Sequence, residues 1–227
     1  MKVIELKETV TASNDRDAEQ IRKKLHESET LLVNLMSGPG SGKTTFLGRT
    51  VRDLGGTLRI GVLEADLASS VDAERAEYWG VRAVQAHTDG MCHMDAGMTM
   101  EGLEALSYRD LDLVFLENVG NLICPAEYDT GASINVMLLS VPEGDDKPLK
   151  YPLMFRTSDA VIITKTDALP YFDFDLNACR ERILRLNPDA RIFAVSAKTG
   201  DHMKDWEYWL KQKITDWRKP TDGGTIQ

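Results

Sequence analysis

The sequence predicts a three-layer α/β/α fold in which helices cover both faces of a mostly parallel central sheet. Two observations point there. Apolar runs of strand length alternate along the chain with stretches able to form helices, and a parallel sheet needs such crossovers between its strands. A glycine-rich segment, Ser37-Gly-Pro-Gly-Ser-Gly-Lys-Thr-Thr45, lies between one such run and one such helix. At 227 residues with 42% hydrophobic content the chain can bury one substantial core, so a single domain with short terminal appendages is expected.

In chain order, Ser13 or Asn14 is placed to cap a helix that carries Ala18, Ile21 and Leu25 on one face. This helix occupies an N-terminal segment, residues 1–30. The apolar run 31–36 is the first strand and opens the main domain, residues 31–219. The helix after the glycine-rich segment runs to about Leu54 and closes at Gly55-Gly56. Residues 58–63, 81–84 and 112–116 read as the next three strands, each separated by a stretch that can be helical. Residues 135–141, 160–164 and 191–195 complete the sheet, the last two separated by a helix over 175–186. A final amphipathic helix offers Trp206, Trp209, Leu210 and Ile214 to the core. The tail, residues 220–227, has little to bury and is expected to be mobile.

The formal net charge is −9 and no basic stretch is dense enough for counterion release, which argues against nucleic acid as a partner. No apolar run approaches the ~18 residues of a membrane span, and the N-terminus lacks a basic region followed by an apolar one. A cytoplasmic, membrane-free protein is therefore expected. The three cysteines, Cys92, Cys124 and Cys179, are odd in number and widely spaced, which suits free thiols or metal ligands better than a disulfide framework.

A strand, a glycine-rich loop and a helix in this order make a phosphate cradle. Gly38, Gly40 and Gly42 let the backbone turn its N–H groups inward, and Pro39, Ser41 and Thr45 complete the loop. Lys43 reaches the β/γ-phosphates and the Thr44 hydroxyl binds Mg2+. Ser37 stands where Gly or Ala is usual, but the flexibility comes from the glycines. Asp66, Asp72 and Glu117 are candidate acids for Mg2+ and attacking water, since each falls near the end of a predicted strand. Glu117-Asn-Val-Gly120 has the spacing of an acid-x-x-Gly switch, whose glycine N–H approaches a γ-phosphate with no side chain in the way.

Thr164-Lys165-Thr166-Asp167 resembles the Asn-Lys-x-Asp guanine-recognition element of GTPases. The Asp167 carboxylate accepts the N1 and N2 hydrogens of guanine, which adenine does not offer, so GTP is expected over ATP. Lys165 lays its stem along the base. Thr164 replaces the usual Asn and so removes an amide that ties this loop to the phosphate loop, from which modest nucleotide affinity is expected. Ser196-Ala197-Lys198, after the next strand, matches the secondary guanine loop.

Hydrolysis alone does not need Cys92 and His93, which stand side by side in a predicted loop, nor Cys124, seven residues beyond Glu117. Thiolate and imidazole are borderline-soft ligands suited to Ni2+ or Zn2+. Cys124 follows the switch glycine closely, so a segment that moves with the γ-phosphate could move a metal ligand. Three ligands leave a tetrahedral site incomplete, to be closed by water, another side chain or a second subunit. Cys179 lies on a predicted helix and is expected in the core.

These motifs, with Glu64-Ala-Asp66, Asp72-Ala-Glu-Arg75, Cys92-His-Met-Asp-Ala96, Glu117-Asn-Val-Gly-Asn-Leu122, Glu143-Gly-Asp-Asp-Lys-Pro-Leu-Lys-Tyr-Pro152 and Thr164-Lys-Thr-Asp-Ala-Leu-Pro-Tyr171, resemble in order the HypB family, GTPases that assist nickel insertion into [NiFe] hydrogenases. The resemblance covers nearly the whole chain. It implies a P-loop NTPase fold of the SIMIBI GTPase type and slow Mg2+-dependent GTP hydrolysis. It also implies a GTP-bound homodimer with Cys92, His93 and Cys124 at a metal site on the subunit interface. Handover of nickel to a HypA-type carrier and ultimately to the hydrogenase large subunit follows from the same resemblance. Residues 1–30 contain His26 and no cysteine, so a metal-storage role is not expected. The urease accessory GTPases share the fold but carry Cys-x-His where this chain has adjacent Cys92-His93. A small-molecule P-loop kinase is the alternative of another class, and it would need an Arg-rich lid that the sequence does not supply. A nucleotide-sensing scaffold without catalysis is the third.

Overall fold

The computed structural model describes residues 6–66, 79–88 and 90–220, without the side chains of residues 6–10 and 66. Seven parallel strands form one sheet: β1 Leu31–Ser37, β2 Ile60–Asp66, β3 Arg82–His87, β4 Leu113–Gly120, β5 Ile134–Ser140, β6 Ala160–Thr164 and β7 Arg191–Ala194, in the spatial order β3-β2-β4-β1-β5-β6-β7. The central strand β1 is buried along its whole length, as a strand covered on both faces must be.

Alternation within β1 shows how the layers are built. Leu31, Val33 and Leu35 face one side, where α2 (Lys43–Leu54) contributes Phe46, Leu47 and Val51 and the C-terminal helix Met203–Trp217 contributes Trp206, Leu210 and Ile214. Leu32 faces the other, where it meets Ala18, Ile21 and Leu25 of α1 (Leu6–Glu27) and Leu103 of α3 (Ala96–Ala105). Met36 belongs to a third cluster with Met154 and Phe155 of the short helix Pro152–Arg156 and Cys179 and Ile183 of the helix Leu176–Leu186. Helices therefore cover both faces, and α1 is part of that layer, closely packed on α3. Burial pushes the Cys179 thiol up to about 12, as fits a core cysteine. No helix among the described residues is long and apolar enough to cross a membrane.

Two expectations are corrected. Ser13 and Asn14 do not cap α1, which already runs from Leu6. Asn14 instead serves tertiary contacts: its Oδ1 accepts the Ala96 N–H at 2.9 Å and its Nδ2 donates to the Asp129 carbonyl at 2.8 Å. The strands also run further toward their carboxyl ends than their apolar runs do. β2 reaches Asp66, β3 reaches His87 and β4 reaches Gly120, so Glu117 lies within β4 rather than at its end. Polar side chains at these ends do not interrupt backbone pairing, and Glu117 is still registered with Leu35 and Glu64. Asp72, the stretch between β2 and β3 over 67–78, and tail residues 221–227 lie outside the described residues, as does the side chain of Asp66.

In an open parallel sheet, ligands settle beyond the carboxyl ends of the strands, where the strand order changes direction. From β1 the chain fills one side of the sheet with β2, β3 and then β4, which returns to lie between β2 and β1, and afterwards fills the other side with β5, β6 and β7. The loop after β1 thus opens at the centre of the carboxyl edge.

Candidate nucleotide and metal site

The loop from Ser37 into α2 wraps a cleft of about 430 Å³ lined by residues 37–45 with Glu117, Gly120 and Lys165. Gly40 and Gly42 have φ of +73° and +89°, left-handed values that a side chain would strain. Gly42 is also the N-cap of α2, its carbonyl accepting the Phe46 N–H at 2.9 Å, so the loop delivers its backbone directly to a helix N-terminus. Gly38 is glycine for another reason: a Cβ there would stand 2.6 Å from Glu143 Oε1. Glu143 is fixed by its other oxygen, which accepts the Ser140 N–H and hydroxyl at 2.8 and 2.7 Å.

Lys43 at the start of α2 donates its ammonium to the Asn118 carbonyl. Thr44 donates its hydroxyl to Glu117 Oε1 at 2.8 Å, which joins two oxygen groups of the kind that can hold a hard divalent cation. Level with Glu117 on the neighbouring strand is Glu64, also buried, a carboxylate to which the sequence reading assigned no role. Two buried carboxylates on adjacent strands favour a cation between them. Gly120 ends β4 against the phosphate loop, where a Cβ would lie 3.4 Å from Pro39 Cα.

A second cleft of about 300 Å³ continues from the first, sharing Gly42, Thr45 and Lys165 and adding Thr164, Asp167, Ala168, Ala197 and Lys198. Here the expectation for Thr164 is corrected. Its hydroxyl donates to the Ser41 carbonyl at 2.6 Å and Lys165 donates to the Gly40 carbonyl at 2.6 Å, so this loop is tied to the phosphate loop without an Asn amide. Lys165 adopts φ +60°, a strained value for a side chain, while the neighbouring Thr166 N–H is held by the Val195 carbonyl at 3.2 Å. Asp167 is oriented by the Ser196 hydroxyl, which donates to its Oδ1 at 2.7 Å. Ser196 thus holds the Asp167 carboxylate in place at the second cleft.

Beyond β4 and β3 the chain brings the metal candidates together. The ligand atoms of Cys92, His93 and Cys124 all lie within 4.8 Å of one another. Cys92 Sγ stands 2.6 Å from Cys124 Sγ and 3.9 Å from His93 Nδ1, and both cysteines are free. Cys92 and His93 occupy the loop before α3, whose N-cap Asp95 accepts the Met98 N–H at 2.8 Å. Cys124 opens the short helix Cys124–Glu127. The contact with Cys92 and burial together raise the Cys124 thiol above the usual thiol range. Burial pulls the His93 imidazole down against the opposing charges of Asp95 and Glu127, which favours the neutral ligand form.

Two further residues escaped the sequence reading. Tyr128 stacks on His93 with ring centroids 3.8 Å apart and planes 17° apart, which fixes the imidazole plane. No spacing signal predicts it, because the contact crosses between loops. Asn121 accepts the Ile123 N–H at 2.8 Å and the Cys124 N–H at 3.4 Å through Oδ1, while its Nδ2 donates to Cys124 Sγ at 3.4 Å. An Asn just ahead of a short helix is a readable local signal for the first of these contacts.

A phosphate cradle, a base cleft and a two-sulfur, one-nitrogen cluster on one edge of a parallel sheet define a P-loop nucleotide-binding protein equipped for a metal, and residues 31–194 match the family described as CobW/HypB/UreG, nucleotide-binding domain. The chain is 42% identical to the hydrogenase maturation factor HypB of Azotobacter chroococcum mcd 1 over 93% of its own length and 70% of that protein. It is 41% identical to the hydrogenase/urease maturation factor HypB of Helicobacter hepaticus, covering 93% of this chain and 88% of that one. Among solved structures, HypB from Helicobacter pylori in complex with nickel superposes with a TM-score of 0.86 at 38% identity, over 93% of this chain and all of that one (100%). The chain belongs to the HypB family of hydrogenase maturation factors.

Proposed function

We propose that this protein is a GTP-hydrolysing nickel metallochaperone in which nucleotide-dependent dimerisation is coupled to nickel delivery during [NiFe] hydrogenase maturation. The observation that carries the reading is the position of the ligand cluster. Cys124 lies four residues beyond Gly120, the last residue of the strand that also carries Glu117, and its sulfur meets Cys92. Phosphate and metal donors therefore share one short length of backbone.

In this reading Lys43 and the loop N–H groups neutralise phosphate charge, Asp167 and Lys165 select guanine, and Glu117 and Gly120 sense the terminal phosphate. Thr44 and Glu117, with Asp66 or Asp72, would hold Mg2+, which when bound would supply neutralisation of the phosphate charge. Water attacks the γ-phosphorus, the bond to the bridging oxygen breaks, and GDP and phosphate leave. Turnover is slow, since among the described residues no arginine lines the cleft.

Nickel is the cargo. Two thiolates and one imidazole suit it, as they suit Zn2+, and they leave one position for a further donor. A second copy of the chain provides that donor by symmetry. Exposed apolar side chains support such a pairing: Ile123, next to Cys124 in the chain, and Leu153 are 56% and 44% exposed, and the helix led by Ile123 packs on the one carrying Leu153. Receipt by a HypA-type carrier and then by the hydrogenase large subunit completes the path.

The test is an equilibrium Ni2+ titration with a non-hydrolysable GTP analogue and with GDP, with molar mass measured in each state. A dimer with the analogue and a different Ni2+ affinity from the GDP state is expected. Equal affinities with an unchanged oligomeric state would remove the coupling.

A further inference from the structure

Asn118 is wholly buried in β4, between Glu117 and the glycine that ends the strand, and the reading above gives it no task. Its backbone and its side chain face different sites. The carbonyl accepts the Lys43 ammonium from the phosphate loop. The side-chain Oδ1 accepts the Met94 N–H at 3.3 Å and the Val119 N–H at 2.9 Å. Met94 directly follows Cys92-His93, and its own side chain is completely buried, so it is the inner anchor of the metal loop.

Geometry makes residue 118 move as a unit. Its Nδ2 donates to Asn34 Oδ1 at 3.1 Å, and Asn34 Nδ2 donates to Asn135 Oδ1 at 2.9 Å, a row of amides across β4, β1 and β5. With both ends of the amide engaged, the side chain cannot swing free of its backbone. The backbone, in contrast, has room to shift. Leu35 pairs with Glu117 but Ser37 pairs with Gly120, so 118 and 119 together oppose Met36 and the β1–β4 register slips by one residue. A bulge of this kind releases a carbonyl from the ladder and is a natural place for a strand to flex.

Resting on the functional reading above, we infer that Asn118 is the positioning residue that carries occupancy of the phosphate loop to the metal loop. An ammonium has three donors, and phosphate oxygens compete for them with a neutral carbonyl. When Lys43 turns to phosphate, the Asn118 carbonyl loses or shares its cation, the bulged peptide shifts, and the rigid amide moves the Met94 N–H with it. His93 and Cys92 follow, one and two residues back along the chain. This route is separate from the one through Gly120 and Cys124, and it reaches the opposite side of the ligand cluster.

The experiment measures Ni2+ affinity, using the metal salt alone, for full-length wild type and Asn118→Ala with a GTP analogue and with GDP. Coupling of this sort amounts to about 5- to 150-fold between states. The analogue-to-GDP affinity ratio of wild type is expected in that range, and that of Asn118→Ala within about twofold of unity. A variant that keeps the wild-type ratio, even with both affinities lowered, overturns the inference and leaves the function intact. A wild-type ratio of one overturns the functional reading and this inference with it. Backbone exchange of the Met94 amide in wild type provides a check that needs no variant. A difference of about tenfold or more between the two nucleotide states is expected, and equal exchange refutes the route.

Discussion

Replacing Thr164 by valine deletes one hydroxyl while keeping the branched shape of the side chain. Thr164 is 2% exposed and its hydroxyl meets the Ser41 carbonyl at 2.6 Å, so water does not take its place. A buried acceptor left without its donor costs about 1–3 kcal/mol. That cost has two destinations. Part is lost from global stability, because the bond joins two loops of the folded chain. The rest appears as a phosphate loop less often in its binding shape, since among the described residues the Lys165 to Gly40 hydrogen bond is then the one left between the two loops. If all of it reached binding, GDP affinity would fall by about 5- to 150-fold, at about 1.4 kcal/mol per tenfold. Urea unfolding and a fluorescent-GDP titration on the same variant read the two shares. Their sum is expected at about 1–3 kcal/mol, and losses under about 0.3 kcal/mol in both would show that the tie between the loops carries no energy.

Asp167→Asn should move preference from GTP toward xanthosine triphosphate, because the amide donates where the carboxylate accepts. Retained preference for GTP in a competition titration would refute the assignment of this loop to the base. Nickel affinity should rise with pH through the neutral range, since the raised Cys124 thiol must lose its proton to ligate, and that affinity is lost as pH falls. His93, pulled down by burial, is already neutral there and adds protons to the competition only in acid. Calorimetry in two buffers should show about one fewer proton released per Ni2+ in Cys124→Ala than in wild type. An unchanged proton count would place the thiolate elsewhere.

Local chemistry explains which parts could be read in advance. The phosphate loop is legible because glycines at Gly40 and Gly42 are demanded by left-handed backbone at fixed spacing from Lys43. The core is legible where apolar residues repeat with the period of their element, as Trp206, Leu210 and Ile214 do. The same reading stops short at β4, because it ends a strand where polarity begins, whereas the ladder continues through Glu117 to Gly120. It also misjudged Thr164 by asking which residue type usually makes the tie, when any donor of the right reach at that place does so.

What the linear order of residues determined by itself was the inventory: a parallel α/β sheet, a glycine-rich phosphate loop, an aspartate in a loop that resembles a guanine-recognition element, and two cysteines and a histidine with no other evident use. Tertiary structure alone decided how these are joined. It set Glu64 level with Glu117, Tyr128 on the face of His93, and one buried asparagine between Lys43 and Met94. The physical reason is that motifs are constrained by bonds along a few neighbouring residues, while such contacts arise from strand order and register, to which residues far apart in the chain contribute equally.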